Sequence, residues 1–296
     1  MKMTKLLHTF VVLILISPAW SPARASETEL RIGVLAKRGI ERAREQWRPM
    51  AELFSQKLSR PVTIVPLKYS EIEDALKADT IHFLVANSGY YVKLKDRYGL
   101  KALATMVNRF QSVAIGEFGG VIFTRSDSRI GQLEDLRKKR FMCVSFTSFG
   151  GGQAAWRLLL DNGIDPRKDF TAFIEGKGSQ DAVVWSVLKG EADAGTVRTD
   201  TIEKMVIEGE IKRHDLKIIH RINDAFPLLH STRLYPEWPF VACKSVSRDL
   251  RRQITKILHL LNSDDPAMIA ANVFNWNYPG NYDAVEECLQ AIDDSK

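Results

Sequence analysis

The sequence predicts an α/β protein built from two similar units. Short apolar runs alternate with longer stretches whose apolar residues recur at helical spacing. The alternation completes one cycle between Leu30 and Val107 and begins again at Gly119. About 270 residues beyond the leader, in a chain of 45% hydrophobic content, can bury two cores, and chains of this size commonly divide.

The leader comes first along the chain. Lys2 and Lys5 precede the apolar run Phe10 to Ile16, and "ARA" at 23–25 has the small-x-small form of a signal-peptidase site. Residues 1–25 therefore read as a cleavable signal peptide and the compartment as the periplasm. The run is shorter than the roughly 20 apolar residues a bilayer span requires, and Pro18 and Pro22 interrupt its extension. No later stretch reads as a span, so no direct membrane insertion is expected after cleavage. Cleavage removes three cations (Lys2, Lys5, Arg24) and no acidic residue, taking the formal charge from +6 to +3. That mild balance argues against nucleic acid as a partner; the densest basic cluster, Arg137 to Arg140, reads as a solvated helix end. Cys143 lies in an apolar run and reads as a small core residue, while a Cys243–Cys288 bridge stays open in an oxidising compartment.

In the first unit "LRIGVLA" from Leu30 reads as a buried strand, and Glu41 to Leu58 as a helix with Trp47, Met50, Leu53, Phe54 and Leu58 on one face. The strand "VTIVPL", a helix from Ser70 to Lys77, the strand "IHFLVA", a helix from Tyr90 to Arg97 and the strand "KALATMV" follow. In the second unit the strands are "GGVIFT", "RFMCVSF", "FTAFIE" and "ADAGTV", with helices at Gly151 to Asn162, Gln180 to Lys189 and Thr199 to Ile207. The tail, 247–261 and 266–292, reads as helical. Alternation of this kind implies parallel pairing with right-handed crossovers.

Three strand-to-helix junctions concentrate hydrogen-bond donors. "SFTSFGGGQAAWRLLL" from Ser145 places Thr147, Ser148 and three glycines at a helix start, where free backbone N–H groups and the positive end of the helix favour an anion. Two readings stand there: Thr147, Ser148 and Gly150 cradle an oxyanion, or a hydroxyl caps the helix. "ADAGTVRTDTIEKM" projects Arg198, whose fork of donors suits an oxyanion, and offers Thr199 as a cap; a surface Arg198 paired with Asp200 or Glu203 is the alternative. "FLVANSGYYVKL" carries Asn87 and Tyr91 into a third helix. Tyr69, after "VTIVPL", and Lys37 with Arg38, after "LRIGVLA", occupy equivalent strand ends, where open α/β sheets bind ligands.

Enzyme signatures are missing. The histidines show no metal-ligand spacing, and no phosphate-binding loop, nucleophile elbow or Cys–His pair is present. No catalytic residue, metal or cofactor is expected. A small-molecule enzyme on this frame would need Glu175 and Asp181 as a carboxylate pair across "EGKGSQD", where solvated loop charges are the simpler account.

Taken in order, Tyr69, "IHFLVANSGYYV", "GGVIFTRSDSRIGQLEDLRKKRF", "TSFGG", "GSQDAVVWSVLKGEADAG" and "FPLLHSTRLYPEWPF" resemble the periplasmic phosphonate-binding proteins of ABC importers. They are closer still to the sensor domain at the front of tetrathionate-sensing histidine kinases. The resemblance covers nearly the whole chain beyond the leader. It implies a type II periplasmic-binding-protein fold, two α/β lobes joined by a two-strand hinge and closing on a small ligand. Residues 26–117 plus 235–296 would form lobe 1 and 118–234 lobe 2. The family's oxyanion turn falls on Thr147, Ser148, Phe149 and Gly150, one site tyrosine on Tyr69 and a second on Tyr91. Departures are Ser145-Phe146 for the family's Asp-Pro, Phe149 for its third turn hydroxyl, and Gln180 for its histidine. Gln180 and Arg198 remain as donors, which favours a sulfur oxyanion or another fully ionised anion, since such a ligand only accepts hydrogen bonds. Kinases of that kind continue into a transmembrane helix and a kinase module, whereas this chain stops at Lys296. The expectation is a binding protein that docks on a membrane sensor kinase or an ABC permease.

Overall fold

A computed structural model describes residues 29–176 and 178–295. The signal peptide expected at 1–25 lies outside the described residues. In the first lobe the chain runs β1 (Leu30–Leu35), α1 (Ile40–Leu58), β2 (Val62–Leu67), α2 (Ile72–Lys77), β3 (Phe83–Val85), α3 (Ser88–Leu94), β4 (Lys101–Phe110) and β5 (Val113–Ile115). A short strand, β6 (Glu117–Phe118), leads into the second lobe. There β7 (Gly120–Arg125), β8 (Arg140–Cys143), α4 (Ala154–Asp161), α5 (Pro166–Asp169) and β9 (Ala172–Glu175) are followed by α6 (Gln180–Leu188), β10 (Ala194–Arg198), α7 (Thr201–Ile207) and β11 (Leu216–Ile219). The chain returns on β12 (Tyr235–Pro236) and ends with β13 (Pro239–Ala242), α8 (Arg248–Leu260), α9 (Pro266–Ala270), β14 (Val273–Asn277) and α10 (Asp283–Asp294).

The strands form two sheets, ordered β14-β4-β13-β3-β1-β2, with β5 beside β4, and β11-β7-β10-β8-β9. A two-stranded ribbon links them: Tyr235 pairs with Phe118 and Pro236 with Glu117 where the outgoing and returning chains cross.

Parallel pairing holds for β1 with β2 and β3, and for β8 with β9 and β10. It fails at β4, β13 and β7, which pair antiparallel with their neighbours. The reason lies in the connections: β13 enters the first sheet from the second lobe, without a crossover helix, so nothing forces it parallel. The helical reading of 266–292 is also corrected. "VFNWN" is strand β14, whose Val273 and Trp276 are buried on the edge of the first sheet.

The apolar stripe of α1 buries Trp47, Met50, Ala51 and Phe54 against the first sheet. One apolar cluster continues from there through Phe118, Phe149 and Tyr235 at the crossing into Val183, Val197 and Met205 of the second lobe. A separate cluster, with Ile122, Leu136, Phe141 and Leu159, backs the second sheet. Cys143, Cys243 and Cys288 are all buried free thiols, so no Cys243–Cys288 bridge forms. Among the described residues no helix is long and apolar enough to cross a membrane.

Candidate functional site

After β8 the chain turns through Ser145 to Ser148 into a five-residue π-helical turn, Phe149–Gln153, that runs directly into α4. The glycines here allow close approach and carry no positive φ. A Cβ on Gly150 would stand 2.8 Å from Arg198 Cβ, and one on Gly152 would stand 2.6 Å from the Ser145 carbonyl oxygen. Phe149 sends its ring into the crossing, edge-on to Phe118 and Tyr235.

Ser148 does not cap the helix with its side chain. Its Oγ donates across the lobes to Tyr69 Oη at 3.1 Å. Gln180 Nε2, at the start of α6, donates to the same oxygen at 3.3 Å, while Gln180 Oε1 accepts the backbone N–H of Arg198 at 2.9 Å. Gln180 is tied to the first lobe a second time, its N–H donating to the Lys37 carbonyl at 3.1 Å. Burial pushes the Tyr69 phenol above its ordinary range, against the pull of Ser148, Gln180 and Arg198, and it stays protonated at neutral pH.

Arg198 is buried at the end of β10, 2% exposed, and is not the surface residue of the alternative reading. Its Nη2 donates to Glu237 at 2.6 Å, its Nε donates to the Thr199 carbonyl at 3.1 Å, and Asp200 lies 3.6 Å from Nε. The guanidinium carbon sits 4.7 Å from the Phe118 ring centroid and 5.6 Å from that of Trp238. Nη1 is buried without a protein partner. Burial alone would raise the Asp200 carboxyl; Lys204, Lys37 and Arg198 around it instead hold it well below the usual carboxylate range. Burial, with Arg198 adding to it, lowers the Lys37 amine to about 7 although Asp200 pulls the other way.

The structure thus joins Tyr69, Ser148, Gln180 and Arg198 in one network, with Gly150 against Arg198. Thr147 enters through Tyr90: Thr147 Oγ1 lies 2.7 Å from Tyr90 Oη, which donates to the Tyr69 carbonyl. Tyr91, one residue on, turns its ring edge-on to Tyr282 instead. Asn87 caps α3, accepting the Tyr90 N–H at 3.1 Å, and its Nδ2 is buried without a partner. Thr199 is not the cap of α7; Asp200 occupies that position, and the Thr199 N–H donates to the Gly119 carbonyl. Glu175 and Asp181 form no pair: Glu175 accepts from Ser145 Oγ and the Phe146 N–H, Asp181 from Arg38. Sequence reasoning missed Tyr90, Glu237 and Trp238. Their signal was only the dipeptide "EW" after the returning strand and a tyrosine doublet whose register a ±1 helix reading could not fix. Beside the network an interlobe cavity of about 320 Å³ is lined by Tyr69, Ser145, Glu175, Gly178 and Ser179.

Two α/β lobes, linked by crossing strands and meeting across a buried donor network, define a solute-binding protein of the periplasmic type. The chain belongs to the family described as the phosphonate periplasmic substrate-binding proteins of ABC transporters, whose model matches residues 32–278. It is 31% identical over 263 residues to the tetrathionate sensor histidine kinase TtrS of Salmonella typhimurium; the match takes in 88% of this chain and 43% of that kinase. Among solved structures it resembles a binding-protein component of an ABC phosphonate transporter from Pseudomonas aeruginosa (TM-score 0.75, 16% identity, covering 91% of this chain and 87% of that one). A phosphonate-binding protein from Prochlorococcus marinus in complex with methylphosphonate gives a TM-score of 0.71 at 16% identity, over 90% and 98% of the two chains. At such identities the likeness to these structures is one of fold.

Proposed function

We propose that the protein is a periplasmic receptor, exported by residues 1–25, whose lobes close on a small, fully ionised oxyanion and present the closed form to a membrane sensor histidine kinase. The carrying observation is the buried chain of hydrogen bonds from Ser148 and Gln180 to Tyr69 and from Gln180 to Arg198, which spans the two lobes at the oxyanion turn. Tyr69 Oη accepts from both neighbours and keeps its own proton to donate, and Arg198 Nη1 has no partner; both favour a ligand that only accepts. Thr147, Ser148, Gly150, Tyr69, Gln180 and Arg198 form the contact set, with Asn87, Tyr91 and Thr199 in supporting positions. A sulfur oxyanion fits this chemistry better than a phosphonate, which can retain a proton. The sensor-kinase relative favours sensing, since the ligand would shift an open–closed equilibrium that the partner reads.

Titration calorimetry on protein freed of carried-over ligand tests the reading. Tetrathionate or thiosulfate should bind more tightly than methylphosphonate or phosphate, and Ser148→Ala should weaken binding by up to about tenfold, through loss of the neutral hydrogen bond that holds the Tyr69 hydroxyl in place. No heat with any of the four anions would overturn it. The family description supports a second reading, an importer component delivering to an ABC permease. Neighbouring permease and ATPase genes would favour it; a kinase and a response regulator would favour sensing.

A further inference from the structure

A second interlobe cavity, of about 580 Å³, lies between the β1–α1 loop, α1 and β4 of the first lobe and α7 of the second. Its wall combines Trp47, Met106, Phe110 and Trp238 with Lys37 and Lys204. A volume in the range of organic-ligand pockets, with an apolar side, is ill matched to a bare inorganic oxyanion. A buried charge cluster lies behind two of the lining residues: Lys37 and Lys204 both lean on Asp200, at 3.4 and 2.9 Å, and Arg198 divides itself between Asp200 and Glu237. With Lys37 protonated this cluster holds three cations against two carboxylates, and the cavity lining itself adds Arg38, Arg42 and Arg109 against Glu45 and Glu208. Glu208, also in the wall, is held by Arg38 at 2.7 Å. Trp238, 4% exposed, buries an indole N–H with no protein acceptor, and buried donors are rarely left so.

We propose that this cavity is a second binding site, distinct from the Ser148 turn, for an organic anion with an apolar body. The anionic group is received by the Lys37 ammonium and the Trp238 N–H; the body lies against Trp47 and Phe110. Lys37 also links the two sites, since its carbonyl accepts from Gln180, the residue that bonds Tyr69. An anion beside Lys37 would raise its lowered amine, so binding near neutral pH draws in a proton. The groups facing that amine are Arg198 at the end of β10, Asp200 and Lys204 at the start of α7, and Glu237 and Trp238 after β12.

The probe is naphthalene-2-sulfonate, titrated calorimetrically into the purified protein at pH 7.5, with 2-naphthol as the neutral counterpart. One-to-one binding is expected, with 2-naphthol at least tenfold weaker. Lys37→Met and Trp238→Phe should each weaken the sulfonate at least tenfold, Ile207→Trp at the cavity wall on α7 should block it, and Ser148→Ala should leave it within twofold. Melting curves on each variant confirm folding. The proposal is overturned if the sulfonate gives no heat, if 2-naphthol binds equally well, if none of the three cavity variants changes its affinity, or if Ser148→Ala abolishes it. Because the oxyanion reading rests on Ser148 and this one does not, the two can fail separately.

Discussion

Lys37 sets the electrostatics of the cleft at the scale of a single residue. Its amine is lowered from 10.5 to about 7, chiefly by burial and by Arg198. Between those two values the unfolded chain holds a proton that the folded protein has lost, so stability rises with pH across the window, and the penalty is full below about 7. Lys37→Met removes the penalty while Asp200 keeps Lys204 and Arg198. The variant should therefore melt higher than the parent at pH 7, and the gain should shrink towards zero at pH 10; scanning calorimetry at both pH values measures it. Glu237 works in the opposite sense. It is fully buried and holds Arg198 and Asn108, so its loss would strand a buried guanidinium. Nothing local in the sequence marks Glu237 for that role, because the charge it answers is 39 positions away.

The turn Phe149–Gln153 shows at the element scale what was legible and what was not. Strand, hydroxyls, glycines and helix were readable in order, since each follows from local propensity. The reason for the glycines was not: their φ values are ordinary, and the requirement is steric, set by the Ser145 carbonyl and by Arg198 from another strand. Gly152→Ala should destabilise the protein by about 2 kcal/mol through a clash with backbone that cannot retreat, measured as a lower urea midpoint at unchanged slope. Strands β1 to β3 were similarly legible from continuous apolar runs. β13 and β14 were not, because "PFVA" and "VFNWN" are too short to show a period and owe their state to an edge offered by β4. Tyr90 and Tyr91 differ by one helical step of about 100°, which decides which ring meets Thr147 and which meets Tyr282.

At the scale of the whole molecule the two lobes are joined by more than the donor network. Arg38, in the β1–α1 loop, bonds Asp181 on α6 at 2.8 Å and Glu208 just past α7 at 2.7 Å, with Arg42 beside it. Its guanidinium is raised above its ordinary value by those two carboxylates, which outweigh its burial. Arg38→Ala should shift the unliganded protein towards an open form, seen as a larger radius of gyration in small-angle scattering, and should weaken oxyanion affinity by about tenfold, because part of the binding energy is then spent on closure. An unchanged radius and affinity would mean that Arg38 does not govern closure.

The crossing ribbon carries a further consequence. Phe118 is half of the aromatic sleeve around Arg198, and Glu237, one residue beyond β12, is its counterion. If Arg198 grips the ligand as proposed, the axle between the halves is built into the wall of the chamber, and the angle between the halves and the grip on cargo would not be tuned independently. Evolution of a new preference in such a molecule is expected to retune its motion as well.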